Sequence, residues 1–190
     1  DADLGMANAH LVLGVNPEKT LDDFINKKNP LSKISYKINK NLDFISGGSA
    51  VHSLLNLENT ERYNIIKSFN EIKKTYDYMI IDIGAGADAS SISFMSAANK
   101  IITVLVSEPT SFADAYSLVK ASYLDEKLDN FGIVWNMSSS DFQAKSHFDK
   151  FRSISTKFLD IKLTYLGSLN NSKIIKQSIL SRKPIINNEN

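Results

Sequence analysis

The chain contains no cysteine in its 190 residues. That excludes disulfide staples and thiolate metal centres, and it fits a reducing compartment. Proline occurs four times and glycine eight, so there is no Gly/Pro-rich linker, and each glycine matters where it falls. No excess of one charge is present: the formal net charge is +1, and no bulk field steers the chain toward nucleic acid or acidic lipid. No apolar run approaches the ~18 residues that a membrane-spanning helix needs. What is present, 43% apolar and 23% charged residues, suffices for one domain over residues 1–190 with a real core.

The most informative stretch reads Tyr-Asp-Tyr-Met-Ile-Ile-Asp-Ile-Gly-Ala-Gly-Ala-Asp over residues 76–88. Its apolar part, residues 78–82, is too short for a typical helix and reads as a strand buried on both faces, hence parallel. Asp82 then falls at the strand's C-terminal end, where open α/β sheets hold their ligands. The turn Gly84-Ala85-Gly86 lets backbone approach a ligand closely. Together they suit a carboxylate that holds a hydrated Mg²⁺ and a turn that reads a terminal phosphate. Taken alone, the same residues also read as a buried strand whose Asp caps the next helix.

Around this stretch the chain alternates. Asp1-Ala2-Asp3-Leu4-Gly5 places two carboxylates on one side of a strand end, Gly5 permits a tight turn, and residues 6–14 can form a short helix, of which an Asp here equally reads as the N-cap. Thr20 caps a surface helix over residues 21–26. Residues 42–46 read as a strand that runs into the loop Gly47-Gly48-Ser49. Residues 59–75 form an amphipathic helix with Tyr63, Ile66, Phe69 and Ile72 toward the core. Then follow a helix at 90–98, a second buried strand at 100–106, a helix at 111–123, a strand at 131–136, a helix at 142–159, a strand at 163–169 and a helix at 172–181. In the helix at 142–159, Phe148, Phe151, Ile154 and Phe158 share one side. Such alternation with short loops predicts an α/β fold, a mostly parallel sheet flanked by helices on both faces.

A parallel sheet brings its strand C-termini to one edge. Asp1, Asp3, Asp82, Gly84, Ala85, Gly86, Glu108 and Asn136 are expected to converge there, a set suited to phosphate and metal. The phosphate cradle G-x-x-x-x-G-K-[ST] occurs nowhere in the chain. His10, His52 and His147 are isolated and read as structural or solvent-facing. The opening residues read as the end of an element, so the fold is expected to be incomplete at its N-terminus.

The blocks Asp1-Ala2-Asp3-Leu4-Gly5-Met6-Ala7-Asn8, residues 45–49, residues 76–86, Glu108-Pro109-Thr110 with Asp114-Ala115-Tyr116, and Gly167 with the helix up to Pro184 resemble the MinD/ParA class of deviant-Walker-A ATPases. Within the class the resemblance is to the flagellar-number regulators of FlhG/FleN type. It implies a P-loop NTPase fold and an ATP- and Mg²⁺-dependent switch that dimerises around two ATP molecules. Such a switch sits in the cytoplasm, docks at the inner membrane, often at a pole, through a helix expected beyond Asn190, and acts in flagellar number and placement. Its implied partners are a flagellar C-ring protein or the flagellar signal-recognition-type GTPase FlhF, with no direct nucleic acid. Carried over, Asp3 orients the attacking water, Asp1 and Asp82 belong to the metal side, Gly84, Ala85 and Gly86 sense the γ-phosphate, Asn136 meets the adenine edge, and Asp114 lies among dimer and partner contacts. Without the lysine-bearing loop, residues 1–190 alone are expected not to hydrolyse ATP. A related division-site or partitioning ATPase, and a non-enzymatic pseudo-ATPase scaffold, remain open on the same residues.

Overall fold

The computed structural model describes residues 1–3, 6–48 and 58–185. Leu4, Gly5, Ser49 and His52, named above, lie outside the described residues. The chain divides into two compact units: Asp1–Gly84 with Ile174–Asn190, and Ala85–Lys173.

The first unit begins with three short helices, α1 (Ala9–Leu13), α2 (Leu21–Ile25) and α3 (Leu31–Ile34). Thr20 opens α2 through a capping box: its hydroxyl accepts from the Asp22 N–H, and Asp23 reaches back to the Thr20 N–H. Strands β1 (Tyr36–Lys37) and β2 (Asp43–Phe44) pair antiparallel, and Ser46 adds an isolated parallel bridge to Thr20. The expected strand at 42–46 is therefore one arm of a small hairpin. Helix α4 (Asn59–Ile72) packs on α3, around Leu31, Ile34 and Ile65, all buried.

The buried face of α4 differs from the expected one. Ile65, Ser68 and Ile72 are buried, while Tyr63 is 63% exposed. A strict three-residue repeat drifts around a 3.6-residue helix, whereas the spacing of the buried set stays on one stripe.

Residues 78–82 also depart from expectation. They join no ladder among the described residues, and Tyr78 and Ile80 are 88% and 90% exposed. Apolar composition prepares a segment for a sheet, but a strand exists only through a neighbour's backbone, and no described strand lies alongside this one. Among the described residues its one backbone tie runs from the Ala2 N–H to the Asp82 carbonyl, at 2.6 Å.

The second unit is built as β–α units in series. Helix α5 (Ala89–Ser96) is followed by β3 (Ile101–Leu105), α6 (Pro109–Glu126), β4 (Asn130–Ser138), α7 (Asp141–Phe158) and β5 (Lys162–Asn170). The three strands form one parallel sheet in the order β3-β4-β5. Helix α8 (Lys173–Ser181) follows β5 in the chain and belongs, from Ile174 on, to the first unit.

Two right-handed crossovers that step the same way along a sheet put both helices on one face. Accordingly α6 packs on β3, α7 packs on β4 and β5, and Phe112 of α6 meets Phe151 of α7 edge to face at 4.8 Å. Leu105, Phe131, Ile133 and Trp135 fill the space beneath them, each contributing roughly 1.5–3 kcal/mol by burial. Strand β3 was expected to be buried throughout. Instead it alternates, with Ile102 and Val104 exposed on the face away from α6. In α7 the buried series is Ala144, Phe148, Phe151 and Ser155, and Ile154 and Phe158, read in the sequence as sharing the side of Phe148 and Phe151, face outward.

Candidate functional site

In the first unit three segments meet. The Asp1 main-chain nitrogen donates to the Ile45 carbonyl at 2.9 Å, and the Ala2 N–H donates to the Asp82 carbonyl. Residues 1–3 are thereby tied on one side to the 45–47 loop and on the other to the segment that ends in Gly84. Asp1, Asp3, Asp82 and Gly84 come together at this junction. Ala85 and Gly86 open the second unit, which also holds Glu108 and Asn136.

The carboxylates at the junction differ in their work. Asp1 accepts the Asp3 N–H on Oδ1 and the Ala9 N–H on Oδ2, at 3.1 and 3.0 Å. It thus holds the turn into α1 as a helix-start acceptor. Asp3 Oδ1 accepts the Met6 N–H at 3.0 Å, while Asp82 stands exposed. Gly84 lies flat against Asp3: a Cβ there would sit 3.2–3.3 Å from the Asp3 carboxyl carbon and both its oxygens. The loop residue Gly47 is closer still to its neighbour, since a Cβ there would lie 2.8 Å from the Asp1 carbonyl oxygen. In the sequence Gly47 read only as part of a flexible loop, and the Gly47-Gly48 pair was the one signal of a close approach.

Beyond the turn, Gly86 has φ +114°, a conformation open to glycine alone at low cost. The cap of the following helix is Asp88. Its carboxylate accepts from the Ser90 and Ser91 N–H groups and from the Ser91 hydroxyl at 2.8, 3.1 and 2.6 Å. Desolvation alone would raise its pKa. The Ser91 hydroxyl and the two N–H groups outweigh it and hold the carboxyl below its ordinary value.

In the second unit the sheet's C-terminal edge carries Ser107, Glu108, Asn136 and Asn170. Glu108 is the N-cap residue of α6, without a side-chain cap bond, and Asp114 is exposed further along the same helix. Asn136 Oδ1 accepts the Met137 N–H at 2.9 Å. A hydrogen-bonded chain beside it escaped the sequence reading: Trp135 Nε1 donates to Ser107 Oγ at 2.9 Å, and Ser107 Oγ pairs with His147 Nδ1 at 3.0 Å. The chain's single tryptophan was the signal available for it. His147 thus has a local structural role.

The donor set at the first junction is hard oxygen, the kind that suits Mg²⁺ through its water shell. Among the described residues no group of three or more His, Cys, Asp or Glu is close enough to hold a metal by itself. A hydrated Mg²⁺ shared with phosphate oxygens needs only one or two carboxylates; of the two expected on the metal side, Asp82 stands exposed, while Asp1 accepts a backbone N–H on each oxygen. The close approach of Gly84 to Asp3 also fits, because any side chain there would fill the space beside the carboxylate.

No family model matches the chain. The antiactivator FleN of Pseudomonas aeruginosa is 29% identical over 97% of this chain and 66% of its own length. The flagellum site-determining protein YlxH of Helicobacter pylori is 25% identical over 96% and 62%. A crystal structure of a ParA family ATPase from Chlorobium tepidum aligns with a TM-score of 0.66 at 18% identity, covering 96% of this chain and 72% of that one. These likenesses support a relationship of this chain to the MinD/ParA class, on the side of the FleN/FlhG-type proteins. Its fold is the α/β fold of the P-loop NTPases. The chain spans about two thirds of the length of these curated relatives. Among the described residues no helix is long and apolar enough to cross a membrane.

Proposed function

We propose that the chain is the water-positioning and metal-side part of an ATP-dependent switch that sets flagellar number and placement. The observation that carries this is the meeting of two distant motifs: the Asp3 carboxylate lies against Gly84, 81 positions away, so closely that a Cβ at Gly84 would be 3.2–3.3 Å from it. The names of the relatives FleN and YlxH supply the flagellar context.

In this reading Asp3 orients the attacking water, and Asp1 fixes Asp3 by accepting its N–H. Asp82 faces the hydrated Mg²⁺, and Gly84 and Gly86 let the intervening turn move with the state of the site. Asn136 takes the base edge. Bound Mg²⁺ and ATP supply the electrophilic phosphorus and the charge neutralisation. The glycine-lysine loop that would cradle the phosphates is not among these residues. ATP-dependent dimerisation, docking at the inner membrane near a pole, and exchange with a C-ring protein or the GTPase FlhF complete the cycle.

The test is a count of flagella per cell after the gene is deleted from its flagellated host. A changed number or placement, restored by wild type and not by Asp3→Ala, is the expected result. Normal flagella with misplaced septa would assign the switch to division instead.

A further inference from the structure

The pairing of β4 with β5 slips twice. Ile133 pairs with Tyr165 but Val134 pairs with Gly167, and Trp135 pairs with Ser168 but Ser138 pairs with Asn170. The first slip puts an extra residue in β5, the second an extra residue in β4, so the two strands end in register. The extra residue of the second slip falls at Asn136 and Met137, and Met137 has φ +52°, a conformation that non-glycine residues seldom adopt. A bulge of this kind re-aims a side chain at a strand end.

This bulge is fastened on both flanks. After it, the Ser138 hydroxyl donates to Asn170 Oδ1 at 3.1 Å. Before it stands Trp135, 1% exposed, whose indole N–H has Ser107 Oγ as its partner. A buried indole N–H is costly to leave unpaired. Ser107 follows β3, and His147 comes from α7 and also meets the Trp135 ring, at 5.6 Å between centroids. With Ser107 Oγ accepting from the indole, its own hydrogen is available to His147 Nδ1. One hydroxyl therefore ties the end of β3, the end of β4 and α7 at the base of the bulge.

We infer that Ser107 and His147 are positioning residues: through Trp135 they fix the bulge that presents Asn136 at the sheet edge. The inference rests on the reading of Asn136 as the residue that meets the base. It gives a job to the lone tryptophan, to an otherwise isolated histidine and to an irregular register, none of which the switch chemistry uses.

The test is NMR on this chain with Ser107→Ala, Ser107→Thr and Trp135→Phe. Ser107→Ala should shift the Trp135 indole signal together with the Asn136 carboxamide and the Met137 amide. Exchange of the Met137 amide should speed up by roughly fivefold to tenfold, the effect of losing one ordinary hydrogen bond. Ser107→Thr keeps the hydroxyl and should restore all three signals. Trp135→Phe removes the donor but keeps an aromatic ring, and should reproduce the Asn136 and Met137 changes. If Ser107→Ala moves the indole signal alone, the inference is wrong. ATP affinity, read in the protein that carries this chain together with a G-K-[ST] loop, separates the two readings. Should Asn136→Ala leave that affinity unchanged while Ser107→Ala still moves Asn136, the positioning stands and only the base assignment falls.

Discussion

Gly47 and Gly84 are both small for steric reasons, but their neighbours differ. A Cβ at Gly47 meets a backbone carbonyl at 2.8 Å, whereas one at Gly84 meets a carboxylate side chain at 3.2–3.3 Å. Backbone cannot rotate away, so Gly47→Ala should destabilise the first unit by roughly 1–3 kcal/mol. Gly84→Ala should cost clearly less, because Asp3 can turn aside. Urea unfolding of the two variants checks the order, and equal midpoints would contradict it. Asp141 offers a pH test at the same scale. The Tyr165 hydroxyl, and after it that of Ser168, donate to its carboxylate at 2.6 and 2.9 Å and hold its pKa below the ordinary 3.8. A carboxyl depressed in the folded state stabilises above its unfolded pKa, and the contribution is lost as pH falls through the folded value. Between about pH 5 and pH 2, Asp141→Asn should therefore lose less stability than wild type. Parallel curves would show that these bonds do no work. Asp3, Asp82 and Gly84 stand out in the sequence by their type and spacing, and they meet at one junction. Ser107 and His147 do not stand out, because a hydroxyl and an imidazole 40 positions apart carry no local sign of their bond.

The helices and strands of the second unit were read from the sequence to within a few residues, because each has a clear apolar period and a polar break. What failed was orientation. The alternation in β3, Ile102 and Val104 out, Thr103 and Leu105 in, was hidden by a run of β-branched residues equally suited to either face. Residues 78–82 look as strand-like as β4 in sequence, yet β4 has neighbours on both sides and they have none among the described residues. Ladder partners are long-range, and composition does not report them. Substitution should expose the difference. Ile80→Asp, at a site 90% exposed, should change the stability of this chain by no more than about 0.5 kcal/mol. Ile133→Ala, in the fully buried middle of β4, should cost about 2–5 kcal/mol. Denaturant midpoints of the two variants decide it, and a large cost at Ile80 would mean that the segment is paired in solution.

At the scale of the whole molecule, the near-neutral composition pointed to no partner. The class came from the order of several short blocks along the chain. Those blocks hold the carboxylates and glycines that the proposed switch uses, while the lysine loop that would complete such a site is not among these residues. The account therefore turns on Asp3: a residue that handles water rather than nucleotide binding should be separable from binding. The decisive measurement is sedimentation with Mg²⁺ and ATP on the protein carrying this chain and a G-K-[ST] loop, wild type against Asp3→Ala. The account predicts that Asp3→Ala binds ATP as wild type does and stays dimeric, while wild type returns to monomer as ATP is consumed. Loss of ATP binding in Asp3→Ala would make Asp3 a structural residue and contradict the proposed switch.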